Sequence, residues 1–137
     1  MHVASRVWIW LALGACVGSK APPQGTLPFD LWAANNQGRP LIVELSATWC
    51  KPCQMFQNLV LSDPRVKQAL RDVVFVTYDI DTPAGRDAME RSGIRSVPAV
   101  LGIDRDGVVR VAKIGTEPTP DEFLVFMQRA HDILSVR

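Results

Sequence analysis

The sequence predicts an α/β domain with a central mixed β-sheet flanked by helices on both faces. Short apolar runs of strand type alternate with stretches of helical spacing. An early β-helix-β unit is followed by a tight hairpin and a closing helix, which calls for both parallel and antiparallel pairing. The composition is globular, with 47% apolar and 21% charged residues in a chain of 137. That length suits one domain.

Each element has a local reason. Pro28 to Gln37 has Phe29, Leu31, Trp32 and Ala33 as an apolar side and Gly38 as a stop, so it reads as a short helix. Leu41-Ile42-Val43-Glu44-Leu45 is a strand-type run with one carboxyl in its middle. From Cys50 onward, Pro52, Met55, Phe56, Leu59 and Val60 recur at helical spacing. Asp63-Pro64 is an N-cap followed by a first-turn proline and starts a second helix to Arg71. Val73 to Ile80 is rich in β-branched and aromatic residues and reads as a buried strand. Pro83 to Ser92 is a helix closed by Gly93. Ala99 to Ile103 and Val108 to Ile114 are strands joined by the turn Asp104 to Gly107. Thr119-Pro120-Asp121-Glu122 is a capping box for a last helix to about Leu134.

Charge and cysteine content narrow the function. Fifteen basic and fourteen acidic residues give a net charge of +1 with no like-charge run, which argues against nucleic acid as a partner. Three cysteines are too few for a disulfide-stapled miniprotein. Two histidines, one of them His2, leave no multi-histidine metal site.

The N-terminus has the parts of a secretory signal: one positive charge before an apolar run from Val7 to Leu13, then small residues. The run is shorter than the roughly 20 residues that span a bilayer. An uncleaved, partly buried helix is the alternative. Leu13-Gly14-Ala15-Cys16 resembles the bacterial lipobox. The resemblance implies a signal over residues 1–15, lipid on Cys16, a tether over 16–27 and a domain over 28–137. Several acyl chains would hold the protein on a membrane, since one binds only marginally. Val17, not Asp, follows Cys16, which by resemblance favours the outer membrane. Loss of Arg6 would leave fourteen basic and fourteen acidic residues, so net charge would not draw the protein to anionic lipid.

The chemistry-bearing motif is Trp49-Cys50-Lys51-Pro52-Cys53. Two cysteines two residues apart, between a strand and a helix, can exchange disulfides, form a static bridge or contribute two metal ligands. A metal needs further ligands, and His131 lies far along the last helix. A static bridge across so short a loop removes little entropy from the unfolded chain. The redox reading has a direct physical basis. A helix N-terminus carries partial positive charge and unpaired N–H groups that stabilise a thiolate, and Lys51 adds a cation. Cys50, at the start, is expected to be the exposed nucleophile. Cys53, one turn in, is expected to be buried and to resolve the mixed disulfide. Pro52 suits the first turn, where its missing N–H costs nothing.

This motif resembles the active site of the thioredoxin family. Ser92-Gly93-Ile94-Arg95-Ser96-Val97-Pro98-Ala99-Val100 is similar to that family's cis-proline segment, and Lys113-Ile114-Gly115 to its last-strand glycine region. Ser62-Asp63-Pro64-Arg65-Val66 resembles the C-terminal, thioredoxin-like domain of bacterial membrane thiol–disulfide interchange proteins. The resemblance covers about residues 28 to 135 and implies a thioredoxin fold. It implies a cis Pro98, with the Val97 backbone pairing with an extended substrate. Trp49, Lys51 and Pro52 would help form the substrate surface.

Glu44 lies six residues before Cys50, where thioredoxins carry a buried Asp. A carboxyl in an apolar strand tends to keep its proton, and this one is a candidate to take the proton of Cys53. The alternative is that the side chain turns to the surface or pairs with a base. Thr77 stands where thioredoxins have a lysine near this carboxyl, which leaves Glu44 without an obvious cation.

The expected activity is extracytoplasmic, membrane-anchored thiol–disulfide exchange with cysteines of protein substrates, in the reductive direction, with no cofactor and no metal. A membrane interchange protein is the expected electron donor. A non-catalytic binding or metal-delivery module on the same fold is the alternative.

Overall fold

The computed structural model describes residues 39–115 and 119–135. The signal, Cys16, the tether and the helix expected over Pro28 to Gln37 lie outside the described residues.

Four strands form one sheet: β1 (Leu41–Ser46), β2 (Val74–Asp79), β3 (Ala99–Ile103) and β4 (Val109–Ile114). The spatial order is β2-β1-β3-β4. β1 runs parallel to β2 and antiparallel to β3, and β3 runs antiparallel to β4. The sheet is mixed, with the parallel pair made by a crossover and the antiparallel pair by a hairpin. The hairpin turn is held by Asp104, whose Oδ1 accepts from the backbone N–H groups of Asp106 and Val108, both at 2.9 Å.

The helices are α1 (Lys51–Met55), α2 (Pro64–Ala69), α3 (Pro83–Ser92) and α4 (Pro120–Ser135). β2 is one residue shorter at each end than the sequence expectation and β4 begins one residue later, and two helix ends differ more. The helix from Cys50 stops being α-helical at Met55, and Phe56–Val60 is a π-helical turn, with Leu61 N–H donating to Phe56 O at 3.1 Å. Apolar spacing does not separate an i→i+5 turn from an i→i+4 one over a single turn. The second helix ends at Ala69 and gives way to a 3₁₀ turn over Leu70–Asp72.

The caps sit on the expected residues. Asp63 accepts from Arg65 N–H at 2.8 Å. Thr119 and Glu122 exchange side-chain to backbone bonds at 3.1 and 3.2 Å. Gly93 ends α3 with φ of 69°, a left-handed conformation that a Cβ disfavours.

Strand alternation sorts the side chains onto two faces. Leu41, Val43, Leu45, Val76, Tyr78, Leu101 and Ile103 pack with Ala88 of α3. On the other face, Ile42, Phe75 and Val100 pack with Phe56, Val60, Val66 of α2, and Phe123, Phe126 and Met127 of α4. Phe56 and Phe123 meet edge to face with centroids 5.3 Å apart. Both faces therefore carry helices, and the C-terminal end of β1 delivers the chain directly into the cysteine pair. Among the described residues no helix is long and apolar enough to cross a membrane.

Candidate active site

Cys50 is the N-cap of α1, with extended backbone angles of −81° and 101°. Its Sγ accepts from the Cys53 backbone N–H at 3.2 Å, and Pro52 occupies the first turn. Cys50 and Cys53 are joined by a disulfide bond. The sulfur of Cys50 therefore already receives an N–H of the kind that would stabilise a thiolate.

Exposure of Cys50 differs from expectation. Cys50 is only 4% exposed, and Cys53 is 0% exposed. Both pack with Ala47, and Ile80 and Val97 lie against the same cluster. These neighbours come from three other segments, so the covering of Cys50 is a tertiary effect. Lys51 is exposed at the helix start and Pro52 is half-buried. The Val97–Pro98 bond is cis, Val97 packs against the cysteine cluster, and Pro98 O accepts from Gly115 N–H at 3.2 Å.

Trp49 is 63% exposed, and its Nε1 donates to Asp81 Oδ2 at 2.9 Å. Asp81 is held in turn because its own N–H donates to Asp79 Oδ1 at 2.9 Å in the turn leading to α3. The indole is thus presented beside the disulfide as an exposed apolar plate with one tethered edge.

Glu44 is 0% exposed. It stands in register with Thr77 on β2 and Val100 on β3. Thr77 Oγ1 donates to Glu44 Oε2 at 2.9 Å, and Gln57 Nε2 donates to Glu44 Oε1 at 3.1 Å. Burial pushes the carboxyl above the usual carboxylate range, against the opposing pull of hydrogen bonds from Gln57, Thr77 and Ser46. The side chain neither reaches the surface nor pairs with a base. Thr77 occupies the place across from the carboxyl, as the sequence suggests.

Cys50, Cys53 and Val97 are thus brought into contact. Gln57, four residues beyond Cys53 in the π-helical turn that follows α1, is the residue that hydrogen-bonds Glu44 from this segment. Gln57 and Asp81 are the site residues that sequence reasoning missed. A polar residue one turn after Cys53 was a usable signal for Gln57. Asp81 is 32 residues from Trp49 and had none. Cys16 lies outside the described residues.

Comparison with known proteins agrees with this geometry. A family model described as thioredoxin-like matches residues 23–104. The chain is 30% identical over 100 residues to the thiol:disulfide interchange protein DsbD of Ralstonia nicotianae, covering 72% of this chain and 16% of that protein. It therefore spans only a small part of that relative's length. The oxidised mitochondrial thioredoxin 3 of Saccharomyces cerevisiae is similar in structure, with a TM-score of 0.59 and 27% identity over 74% of this chain and 86% of that one. The oxidised C-terminal domain of Neisseria meningitidis DsbD shares the fold, with a TM-score of 0.62 and 22% identity over 74% and 88% of the two chains. With its disulfide-bonded Cys50–Cys53 pair at the head of α1, the chain belongs to the thioredoxin-like family.

Proposed function

We propose that this protein is an extracytoplasmic, membrane-anchored reductase of disulfides in other proteins. The observation that carries the reading is the Cys50–Cys53 pair at the start of α1, flanked by Val97–Pro98.

In the reduced protein, the Cys50 thiolate attacks one sulfur of a substrate disulfide. A mixed disulfide forms, and the first substrate sulfur leaves as a thiolate that takes a proton from solvent. Cys53 then gives its proton to the Glu44 carboxylate, and its thiolate attacks Cys50 Sγ. The second substrate sulfur leaves and is protonated in turn. The substrate gains two electrons and two protons, and the Cys50–Cys53 disulfide closes. No organic cofactor is needed, because the electrons stay on sulfur. The Val97 backbone pairs with the extended substrate, and Trp49, Lys51 and Pro52 form the surface around it.

The compartment by itself favours oxidation. A reductase there needs a supply of electrons, and a dithiol of a membrane thiol–disulfide interchange protein restores the Cys50–Cys53 dithiol by the same exchange in reverse. Lipid on Cys16 holds the domain at a membrane surface, with the outer membrane favoured by Val17.

Replacing Cys50 by Ser is expected to abolish insulin disulfide reduction, and replacing Cys53 by Ser to trap mixed disulfides with substrates. An unchanged rate in the Cys50 variant would reject catalysis in favour of a binding role. Equilibration with glutathione sets the direction: a potential near about −270 mV supports reduction and one near about −120 mV supports oxidation. Radiolabelled palmitate on the wild-type chain but not on Cys16→Ser tests the anchor.

A further inference from the structure

The π-helical turn after the disulfide helix puts an exposed side chain onto a buried acid. Gln57 is at the surface, yet its Nε2 donates both to Glu44 Oε1 at 3.1 Å and to Ser46 Oγ at 3.3 Å. Such turns recur at functional sites because the extra residue re-aims the side chains around it. Ser46, Gln57 and Thr77, the three residues whose side chains hydrogen-bond around Glu44, all line one solvent-open cleft of about 320 Å³ that Asp79 also borders. Glu44 itself contributes nothing to the lining, so the polar groups of its neighbours stand between its carboxyl and water.

The surroundings make this contact count. The donors to Glu44 are neutral hydroxyl and amide groups, so hydrogen bonds alone compensate the ionised form. On the same sheet face, β3 offers Val100, and beyond it on β4 Lys113 stands 3.9 Å from Glu122 of α4. β2 offers Asp79 at the cleft edge. The Gln57 amide is the donor in this set that arrives from the helix carrying Cys53.

We propose that Gln57 is a positioning residue, whose amide orients the Glu44 carboxylate and governs the exchange of its proton with water in the cleft. The proton that Cys53 releases is held on Glu44 while the disulfide closes, and it then leaves to cleft water past Gln57, Ser46 and Thr77. This proposal rests on the reading of Glu44 as the base for Cys53.

The test is a carbon-13 NMR titration of the Glu44 carboxyl in the full oxidised chain, with Glu44→Gln assigning the signal. Gln57→Leu removes a donor to the ionised form, so the midpoint is expected to rise by about one pH unit. Gln57→Glu sets a second carboxyl against the first and is expected to split the titration into two coupled steps, one above the wild-type midpoint. Gln57 is exposed, so both variants should fold, with a lower melting temperature only at pH values where Glu44 is ionised and has lost its donor. An unmoved Glu44 midpoint in both folded variants overturns the proposal. A second readout separates it from the reading beneath it, namely the pH profile of mixed-disulfide resolution by stopped flow. If Glu44→Gln leaves that profile unchanged while Gln57→Leu moves the Glu44 midpoint, Gln57 positions Glu44 but Glu44 is not the base.

Discussion

Glu44 and Thr77 face each other across the parallel β1–β2 pair, and the Thr77 hydroxyl donates to the Glu44 carboxyl at 2.9 Å. A hydroxyl in this place solvates the carboxylate without neutralising it. The cost of burying the charge therefore stays with Glu44 and appears as a raised proton affinity.

Stability should accordingly fall as pH rises through the Glu44 midpoint. The folded protein binds this proton more tightly than the unfolded chain, whose ordinary value is 4.5. The contribution is complete below that value and is lost as pH climbs through the raised one. Glu44→Gln is expected to flatten this limb, leaving the variant more stable than wild type at pH 8 in urea melts. The same variant should slow mixed-disulfide resolution by about 100-fold, the lower range for losing a positioned base. A variant that resolves at the wild-type rate would remove Glu44 from the mechanism.

Asp63 gives the opposite sign at the acid end. The Arg65 guanidinium, with Nη2 at 3.1 Å and Nε at 3.2 Å, holds its carboxyl below the ordinary value of 3.8. Arg65 also reaches Asp121 at 2.7 Å, so one guanidinium joins the starts of α2 and α4. Stabilisation from Asp63 is present above pH 3.8 and is lost as pH falls through the lowered midpoint. Asp63→Asn keeps an N-cap acceptor but loses the ionic pull, so it should behave as wild type in its cap and show a flatter acid limb. Asp63→Ala should lose both. Acid titrations of the three proteins followed by circular dichroism check the order.

Much of this architecture was legible from the sequence because its signals are local. Asp63-Pro64, Thr119 to Glu122 and Gly93 mark helix ends through bonds spanning a few residues. The β3 boundaries followed from a continuous apolar run between Pro98 and the Asp104 turn. The spacing of Cys50 and Cys53 left a disulfide, a static bridge and a metal site open, and the resemblance of the surrounding segments favoured the disulfide that the structure shows. What escaped depends on contacts between distant segments. Cys50 is covered because Ile80 and Val97 converge on it from the ends of other elements. Gln57 reaches Glu44 only once the turn after α1 packs beside β1, although its polar character one turn after Cys53 could have flagged it. The Trp49–Asp81 bond needs the β2–α3 turn to arrive beside α1.

That last bond should tune substrate handling more than folding. Trp49 is largely in solvent, so losing its tether costs little global stability. Asp81→Ala frees the indole edge and is expected to lower kcat/KM for a protein disulfide by about fivefold, the equivalent of about 1 kcal/mol for one hydrogen bond. Its melting temperature should stay within about 2 °C of wild type, as for a surface substitution. Insulin reduction against substrate concentration, paired with a thermal melt, separates the two effects. A large drop in melting temperature with unchanged turnover would make Asp81 structural only.

Gly85 and Gly102 offer a matched pair for testing how rigid the frame behind the site is. A Cβ on Gly85 would collide with the Asp79 carbonyl and lie 2.8 Å from Ile80 Cα, all backbone atoms at the end of β2. A Cβ on Gly102 would meet Val111 Cγ1 at 2.5 Å and Leu134 Cδ1 at 3.2 Å, both side-chain tips that can rotate away. Gly85→Ala must therefore push α3 off the strand end, while Gly102→Ala asks only for rotamer changes. The expected cost is about 2–3 kcal/mol at Gly85 and about 1 kcal/mol at Gly102, within the range for overpacking. For a domain of this size that corresponds to a melting-temperature drop of about 10 °C against about 4 °C. Gly85 also lies in the first turn of α3, just after the turn that holds Asp81. Gly85→Ala should consequently reproduce the catalytic loss of Asp81→Ala at temperatures where it is still folded, and Gly102→Ala should not. Equal effects at the two positions would mean that the end of β2 yields as easily as a side chain.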